Sequence, residues 1–199
     1  MKKLTIFLVF ALCVSLLLSG CGKAQTDDDN GPVGPQPDPN RKAADSYSYT
    51  ENANQTYSYE VWGRSGKVFV SEKNSDKPVN FEAISDELLV VYGQAGTGIH
   101  SRWARICDVQ NEKYAGIGGY LAAWDTRVAF VDERSGGIHV FICETFVENV
   151  YHGVLTLENA VDNTDLIESF ELSEDGILSV TYRTGDGNKT VEISMAGEE

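Results

Sequence analysis

Apolar and polar residues alternate along most of the chain. In Tyr57-Ser58-Tyr59-Glu60-Val61-Trp62 every second residue is large and apolar, the period that predicts a half-buried strand. Gly63-Arg64-Ser65-Gly66 interrupts the alternation and Lys67-Val68-Phe69-Val70 resumes it, which is a hairpin signature. The same sequence of events recurs three times. Leu88 to Tyr92 turns through Gly93 to Gly98 into Trp103 to Val109. Val128 to Val131 turns at Ser135-Gly136-Gly137 into Ile138 to Phe146. Ile177 to Tyr182 turns at Gly185-Asp186-Gly187 into Thr190 to Ile193. Beyond the first twenty residues no stretch keeps a 3.6-residue apolar period over three turns, so the expected fold is all-β, an antiparallel meander of hairpins in a single domain spanning 47–199.

Three hairpins share a lead-in consisting of a short strand and an acidic turn: Phe81 to Leu88, Tyr120 to Val128 and Ser169 to Ile177. Two shorter matches add to the impression of a repeat. Gly98-Ile99-His100 lies 39 residues from Gly137-Ile138-His139, and Ile106-Cys107-Asp108 lies 36 from Ile142-Cys143-Glu144. This pattern resembles the blades of a β-propeller, four-stranded meanders of about 40 residues. About 150 residues hold fewer than four full blades, so the alternatives stay open: a miniature or incomplete propeller, an open twisted meander, a β-sandwich with similar hairpins, or chance likeness among hairpins.

The N-terminus follows a different pattern. Met1-Lys2-Lys3 precedes an apolar run from Leu4 to Leu18 broken only by Thr5 and Ser15, then the small pair Ser19-Gly20. That is a secretory signal layout, and the run is shorter than the ~20 residues a helix needs to span a bilayer. Leu18-Ser19-Gly20-Cys21 resembles the lipobox of bacterial lipoproteins. The resemblance implies that residues 1–20 are removed, that the Cys21 thiol carries a diacylglyceryl group, and that the new amino group is acylated (palmitate or a similar chain). The partner of this end is then the membrane, reached through the lipid. Each buried methylene contributes ~0.8 kcal/mol, and stable anchoring takes two chains. The location this implies is extracytoplasmic.

From Cys21 to Ser46 large apolar residues are almost absent, while an acidic run (Asp27 to Asp29) and four prolines (Pro32, Pro35, Pro37, Pro39) accumulate. Such a composition cannot offset the entropy of ordering, and 21–46 is expected to be a lipidated, disordered stalk. Asp27, Asp29 and Gly31 imitate part of a calcium loop, but the positions that need Gly and Glu hold Pro32 and Asp38.

Charge narrows the list of partners. The chain has 16 basic and 30 acidic residues, and loss of Lys2 and Lys3 leaves 14 against 30, a formal charge of −16. With no basic cluster to reverse it locally, nucleic acid is not an expected partner.

Candidate chemistry is sparse. Cys107 and Cys143 remain after processing and are expected either to pair as a disulfide or to stay as separate buried thiols. His100, His139 and His152 show no metal-ligand spacing, and His100 and His139 read as turn-flanking surface residues. Ser135 lacks a nucleophile-elbow context, and Gly93, Gly96 and Gly98 are followed by a strand rather than a phosphate-binding helix. No cofactor, metal ligand set or catalytic constellation is expected. Among the carboxylates, Asp125 with Glu144 is one conceivable pair for glycoside hydrolysis. Trp103 is expected in the core, whereas Trp62, one residue before a turn, is the candidate for an exposed aromatic contact. The expected function is a non-catalytic binding or interaction domain for an unidentified protein or glycan. An envelope glycan hydrolase using paired carboxylates and a subunit of a larger envelope assembly are the competing classes.

Overall fold

The computed structural model describes residues 35–134, 137–147, 150–161 and 166–196. The signal segment, Cys21 and the Asp27 to Gly31 run therefore lie outside the described residues.

Fourteen strands form four antiparallel sheets, each built from consecutive strands. Sheet 1 comprises β1 (Tyr47–Glu51), β2 (Tyr57–Trp62) and β3 (Val68–Ser75). Sheet 2 comprises β4 (Val79–Ala83), β5 (Leu88–Gln94), β6 (Arg102–Asp108) and β7 (Lys113–Gly118). Sheet 3 comprises β8 (Tyr120–Trp124), β9 (Arg127–Arg134), β10 (Gly137–Glu144) and β11 (Tyr151–Thr156). Sheet 4 comprises β12 (Ile167–Leu172), β13 (Ile177–Thr184) and β14 (Gly187–Ser194). All four hairpins expected from the alternation are present, as are the three lead-in strands. The expected all-β meander is the observed architecture.

The alternation also explains how the sheets stack. In sheet 2, Leu89, Val91 and Cys107 join Tyr59, Val61 and Val70 of sheet 1 in one core cluster. The intervening residues Val90, Ala104 and Ile106 point the other way and pack with Tyr120, Ala123 and Val128 of sheet 3. In sheet 3, Ala129, Val131, Val140 and Ile142 face Leu178, Val180 and Tyr182 of sheet 4. Sheets 2 and 3 are thus apolar on both faces, which is why their strands read as nearly continuous apolar runs.

The two end faces are polar. On sheet 1, Ser48, Thr50, Ser58, Glu60 and Ser71 share the outer face by register. On sheet 4, Ser179 hydrogen-bonds Glu192 and Thr181 hydrogen-bonds Thr190. Among the described residues no core cluster joins sheet 4 back to sheet 1. The blade-like sheets form an open stack whose terminal members are capped by polar residues, as the ends of repeat arrays require.

Of the two repeat matches, one is structural. Cys107 and Cys143 both lie on the third strand of a four-stranded sheet, and in each case the preceding isoleucine faces the next sheet in the stack. The other is not: Gly98 precedes a 3-10 turn at Ile99–Ser101, whereas Gly137 opens β10.

The stalk boundary needs correction. Residues 36–46 were expected to be disordered, yet Arg41, Ala43 and Ser46 are buried. The Asp38 amide donates to the Arg64 carbonyl at 2.8 Å and the Ala43 amide to the Asp86 carbonyl at 2.9 Å. Composition signals how little apolar surface a segment owns; it does not register backbone and guanidinium groups that find acceptors on a neighbouring hairpin turn.

Sheets 2 and 3 are joined by one residue, Gly119, at a φ of +67°. Its amide donates to the Arg102 carbonyl at 2.8 Å, and its carbonyl accepts from the Val131 amide at 2.9 Å. A β-carbon there would overlap the Val131 carbonyl oxygen. Glycine is thus required twice over, by the left-handed backbone and by the close approach. This corner sets the position of the cleft described next.

Candidate functional site

The residues singled out from sequence do not converge. Trp62 is half-buried rather than exposed, and its indole N–H is buried with no acceptor among the described residues. The chain preceding β1 runs beside the adjacent β2–β3 turn, where the Asp38 amide donates to the Arg64 carbonyl at 2.8 Å and Arg41 Nη1 to the Gly63 carbonyl at 2.6 Å. Trp103 packs against the sheet 1–sheet 2 core as expected, and Trp124 against the sheet 3–sheet 4 core.

Cys107 and Cys143 are free thiols held in different clusters, one between sheets 1 and 2 and the other between sheets 2 and 3. The two side chains leave their strands toward the preceding sheet, so the repeat that makes the cysteines equivalent also keeps them apart. Burial pushes the Cys107 thiol up to about 12, against a smaller opposing effect of Arg105, and burial also raises Cys143.

Asp125 and Glu144 form no catalytic pair. Asp125 sits exposed in the tight β8–β9 turn at a φ of +53°. Glu144 is engaged elsewhere: its Oε2 lies 2.7 Å from His152 Nε2 and 3.8 Å from Arg127 Nε. Burial works against ionisation of Glu144, but hydrogen bonds from Thr126 and His152 outweigh it and hold the carboxyl below its usual range. His139 contacts the Thr156 hydroxyl at 3.1 Å. Among the described residues no three His, Cys, Asp or Glu side chains group as a metal site.

A different set does converge. At the junction of sheets 2, 3 and 4 a cleft of about 190 Å³ is lined by Glu82 of β4, Tyr92 of β5, Arg102 of β6, Tyr120 of β8 and Phe170 and Leu172 of β12. It adjoins a second hollow of about 220 Å³ that shares Arg102 and Phe170. Strand register explains the gathering. Glu82 pairs with Val90 and Tyr92 with Ala104, so these residues share the sheet 2 face that looks toward sheet 3. Tyr120 enters from the other side, immediately after the Gly119 corner.

Arg102 is fixed in three ways. Its carbonyl accepts from the Gly119 amide, its Nε donates to the Tyr120 carbonyl at 2.9 Å, and its guanidinium lies 4.6 Å from the centre of the Phe170 ring. Its Nη groups have no protein acceptor among the described residues. Burial lowers the Arg102 pKa while the neighbouring tyrosines oppose this.

Glu82 likewise has no hydrogen-bond or ion-pair partner among the described residues. It keeps much of its surface open to solvent, yet desolvation of the carboxyl raises its pKa. Burial raises Tyr120 too, with Glu82 and Tyr92 adding to the effect and Arg102 opposing it. The hydroxyls of Tyr92 and Tyr120 make no protein hydrogen bond among the described residues, and the rings sit 5.4 Å apart.

The cleft therefore combines an apolar wall with four polar groups aimed into one space and unsatisfied by one another. That is the composition of a small-ligand site. Sequence reasoning missed it because its members come from five strands, and its polar members Glu82, Tyr92, Arg102 and Tyr120 lie at least ten residues apart along the chain. No protein-family model matches the chain, and no curated protein is significantly similar to it.

Proposed function

We propose that this protein is a lipid-anchored extracytoplasmic binding protein, tethered through Cys21, whose β domain captures a small ligand in the Arg102 cleft without transforming it. The observation that carries the binding role is the set of polar groups without a protein partner among the described residues, Arg102 Nη, the Glu82 carboxyl and the Tyr92 and Tyr120 hydroxyls, on residues that line one partly apolar cleft. These groups are open to water in the unliganded cleft, and a ligand that pairs with several of them at once replaces water with directed contacts beside an apolar wall. The tether rests on the Leu18-Ser19-Gly20-Cys21 sequence and the apolar run before it.

Hydrolysis through two carboxyls has less support in the geometry. Glu82 is the carboxyl without a partner in the cleft, and Glu168 of the adjoining hollow is paired with Arg183.

Two measurements test the proposal. Full-length protein expressed in a bacterial host and isolated from its membranes should retain a small molecule visible by native mass spectrometry, and Arg102→Gln should lose it. Cys21→Ala should release the protein from the membrane fraction and abolish fatty-acid labelling. Turnover of cell-wall polysaccharide that disappears with Glu82→Gln would instead make it a hydrolase.

The assembly reading has one observation in its favour. β7 is an edge strand, its pairing with β6 has no register shift, and Gly116 and Gly118 leave open space beside it. An extended partner segment adding a strand there would complete sheet 2. A stable monomer with no partner cross-linked through β7 in envelopes would remove this reading.

A further inference from the structure

Arg102 differs from the other described arginines. Arg64, Arg105, Arg127, Arg134 and Arg183 each meet a carboxylate. Arg41 uses its Nη groups on two backbone carbonyls. In a chain with 30 acidic residues and 16 basic ones, a guanidinium held in a cleft with no carboxylate on it among the described residues points to a ligand that brings one. Its planar fork is preorganised for a carboxylate, because Nε and the backbone are already tied to the Gly119–Tyr120 corner.

The identity of the ligand's other charge follows from Glu82. A simple anion drawn to Arg102 would enter a cleft that Glu82 also lines, against the field of a chain carrying a formal charge of −14. A simple cation drawn to Glu82 would meet Arg102. A zwitterion turns both repulsions into attractions and carries no net charge against the field. The walls supply the remainder of the specificity: Phe170 and Leu172 of β12 and Leu121 of β8 are apolar, and the Tyr92 and Tyr120 hydroxyls are free to donate.

Building on the reading of this cleft as a binding site, we infer that its ligand is a small zwitterion with an apolar side chain, an amino acid or short peptide, whose carboxylate meets Arg102 and whose ammonium meets Glu82. The adjoining hollow beyond Arg102 and Phe170 gives room for a larger side chain or a second residue.

Calorimetry on the full-length protein in detergent tests this with five probes: leucine, leucyl-leucine, leucinamide, N-acetylleucine and glucuronate. Leucine or leucyl-leucine should bind, and leucinamide, N-acetylleucine and glucuronate should bind at least tenfold more weakly. Arg102→Gln should remove the binding. Glu82→Gln should abolish the preference for leucine over N-acetylleucine, because the ammonium then loses its counter-charge. Circular dichroism and Tm verify that both variants remain folded.

If N-acetylleucine or glucuronate binds as tightly as leucine and is lost with Arg102→Gln, the zwitterion is overturned while the cleft stands as a binding site. If none of the five binds, the zwitterion is overturned, and native mass spectrometry of membrane-isolated protein then judges the cleft: a retained molecule lost with Arg102→Gln keeps the binding function, and none retained overturns that as well.

Discussion

Arg41 donates from Nη1 to the backbone carbonyl of Gly63 at 2.6 Å, tying the segment before β1 to the turn of the first hairpin. Its Nη2 reaches the Gln36 carbonyl at 2.6 Å, and its own carbonyl accepts from Arg64 Nε at 3.2 Å. The side chain is buried, so these bonds are shielded from water and a truncation would leave two carbonyls short of a donor. Hydrogen bonds to a charged group contribute ~1.5–3 kcal/mol each. Arg41→Ala should therefore destabilise the protein by ~2–4 kcal/mol in urea titration. Removing residues 1–46 should destabilise it markedly, whereas removing residues 1–33 should leave Tm nearly unchanged. Equal Tm values for the two truncations would return the stalk boundary to Ser46.

The Gly119 corner places the backbone of Arg102 and Tyr120 together, so it joins fold to site. A β-carbon there meets the Val131 carbonyl oxygen in a left-handed backbone. Strain of this type costs ~1–3 kcal/mol before the overlap is counted. Gly119→Ala should lower stability by at least ~2 kcal/mol and weaken ligand binding in the cleft, although residue 119 touches no ligand. Unchanged stability in chemical denaturation would mean that the corner can relax.

How much of this was legible in the sequence depends on the range of the interaction. The hairpins at Tyr57, Leu88, Val128 and Ile177 were readable because period-two alternation and turn glycines are local properties. The strands that escaped notice, β1, β7 and β11, are all edge strands. Lys113-Tyr114-Ala115-Gly116-Ile117-Gly118 has glycines where alternation needs side chains, and Tyr151-His152-Gly153-Val154 leaves Val154 52% exposed. The cleft was invisible for a different reason. Glu82, Arg102 and Phe170 are ordinary strand residues one at a time, and only sheet stacking brings them together. Trp62 is half-buried although it stands one residue before a turn, because position along a hairpin does not register what packs beside that hairpin in the fold.

The burial of its indole nitrogen leads to a counterintuitive expectation for Trp62. Its indole N–H is buried without an acceptor among the described residues, and such a group carries a penalty of ~1–3 kcal/mol. Trp62→Phe removes the donor and keeps an aromatic ring, so the loss of packing is offset. Stability should change by less than ~1 kcal/mol in either direction, and ligand binding in the cleft should be unaffected. A loss above ~3 kcal/mol would mean that the nitrogen has a partner.

The thiols offer a test of which sheet faces are sealed. Cys107 is fully buried with its pKa pushed up to about 12, and Cys143 is half-buried with a smaller opening to the groove between sheets 2 and 3. Since the thiolate is the reacting species, native iodoacetamide labelling at pH 8 should modify Cys143 slowly and Cys107 hardly at all. In denaturant without reductant both should be modified. Failure to label either under those conditions would indicate a disulfide between them.

Glu82 makes a prediction about pH whose sign follows from the direction of its shift. Desolvation raises its folded pKa above the unfolded value, so the protonated form is tolerated in the fold and the ionised form is penalised. No penalty operates below the unfolded pKa; it develops as pH rises through the folded pKa and is fully present at neutral pH. Glu82→Gln removes the ionisation. Because the residue keeps much surface exposed, the gain is small, within about 0.5 kcal/mol. The variant should be slightly more stable than the parent at pH 7 and indistinguishable from it at pH 3.5, as read from paired thermal melts without ligand. A variant less stable at pH 7 would mean that the Glu82 carboxylate has a favourable partner in the unliganded cleft, and would remove the counter-charge on which zwitterion recognition depends.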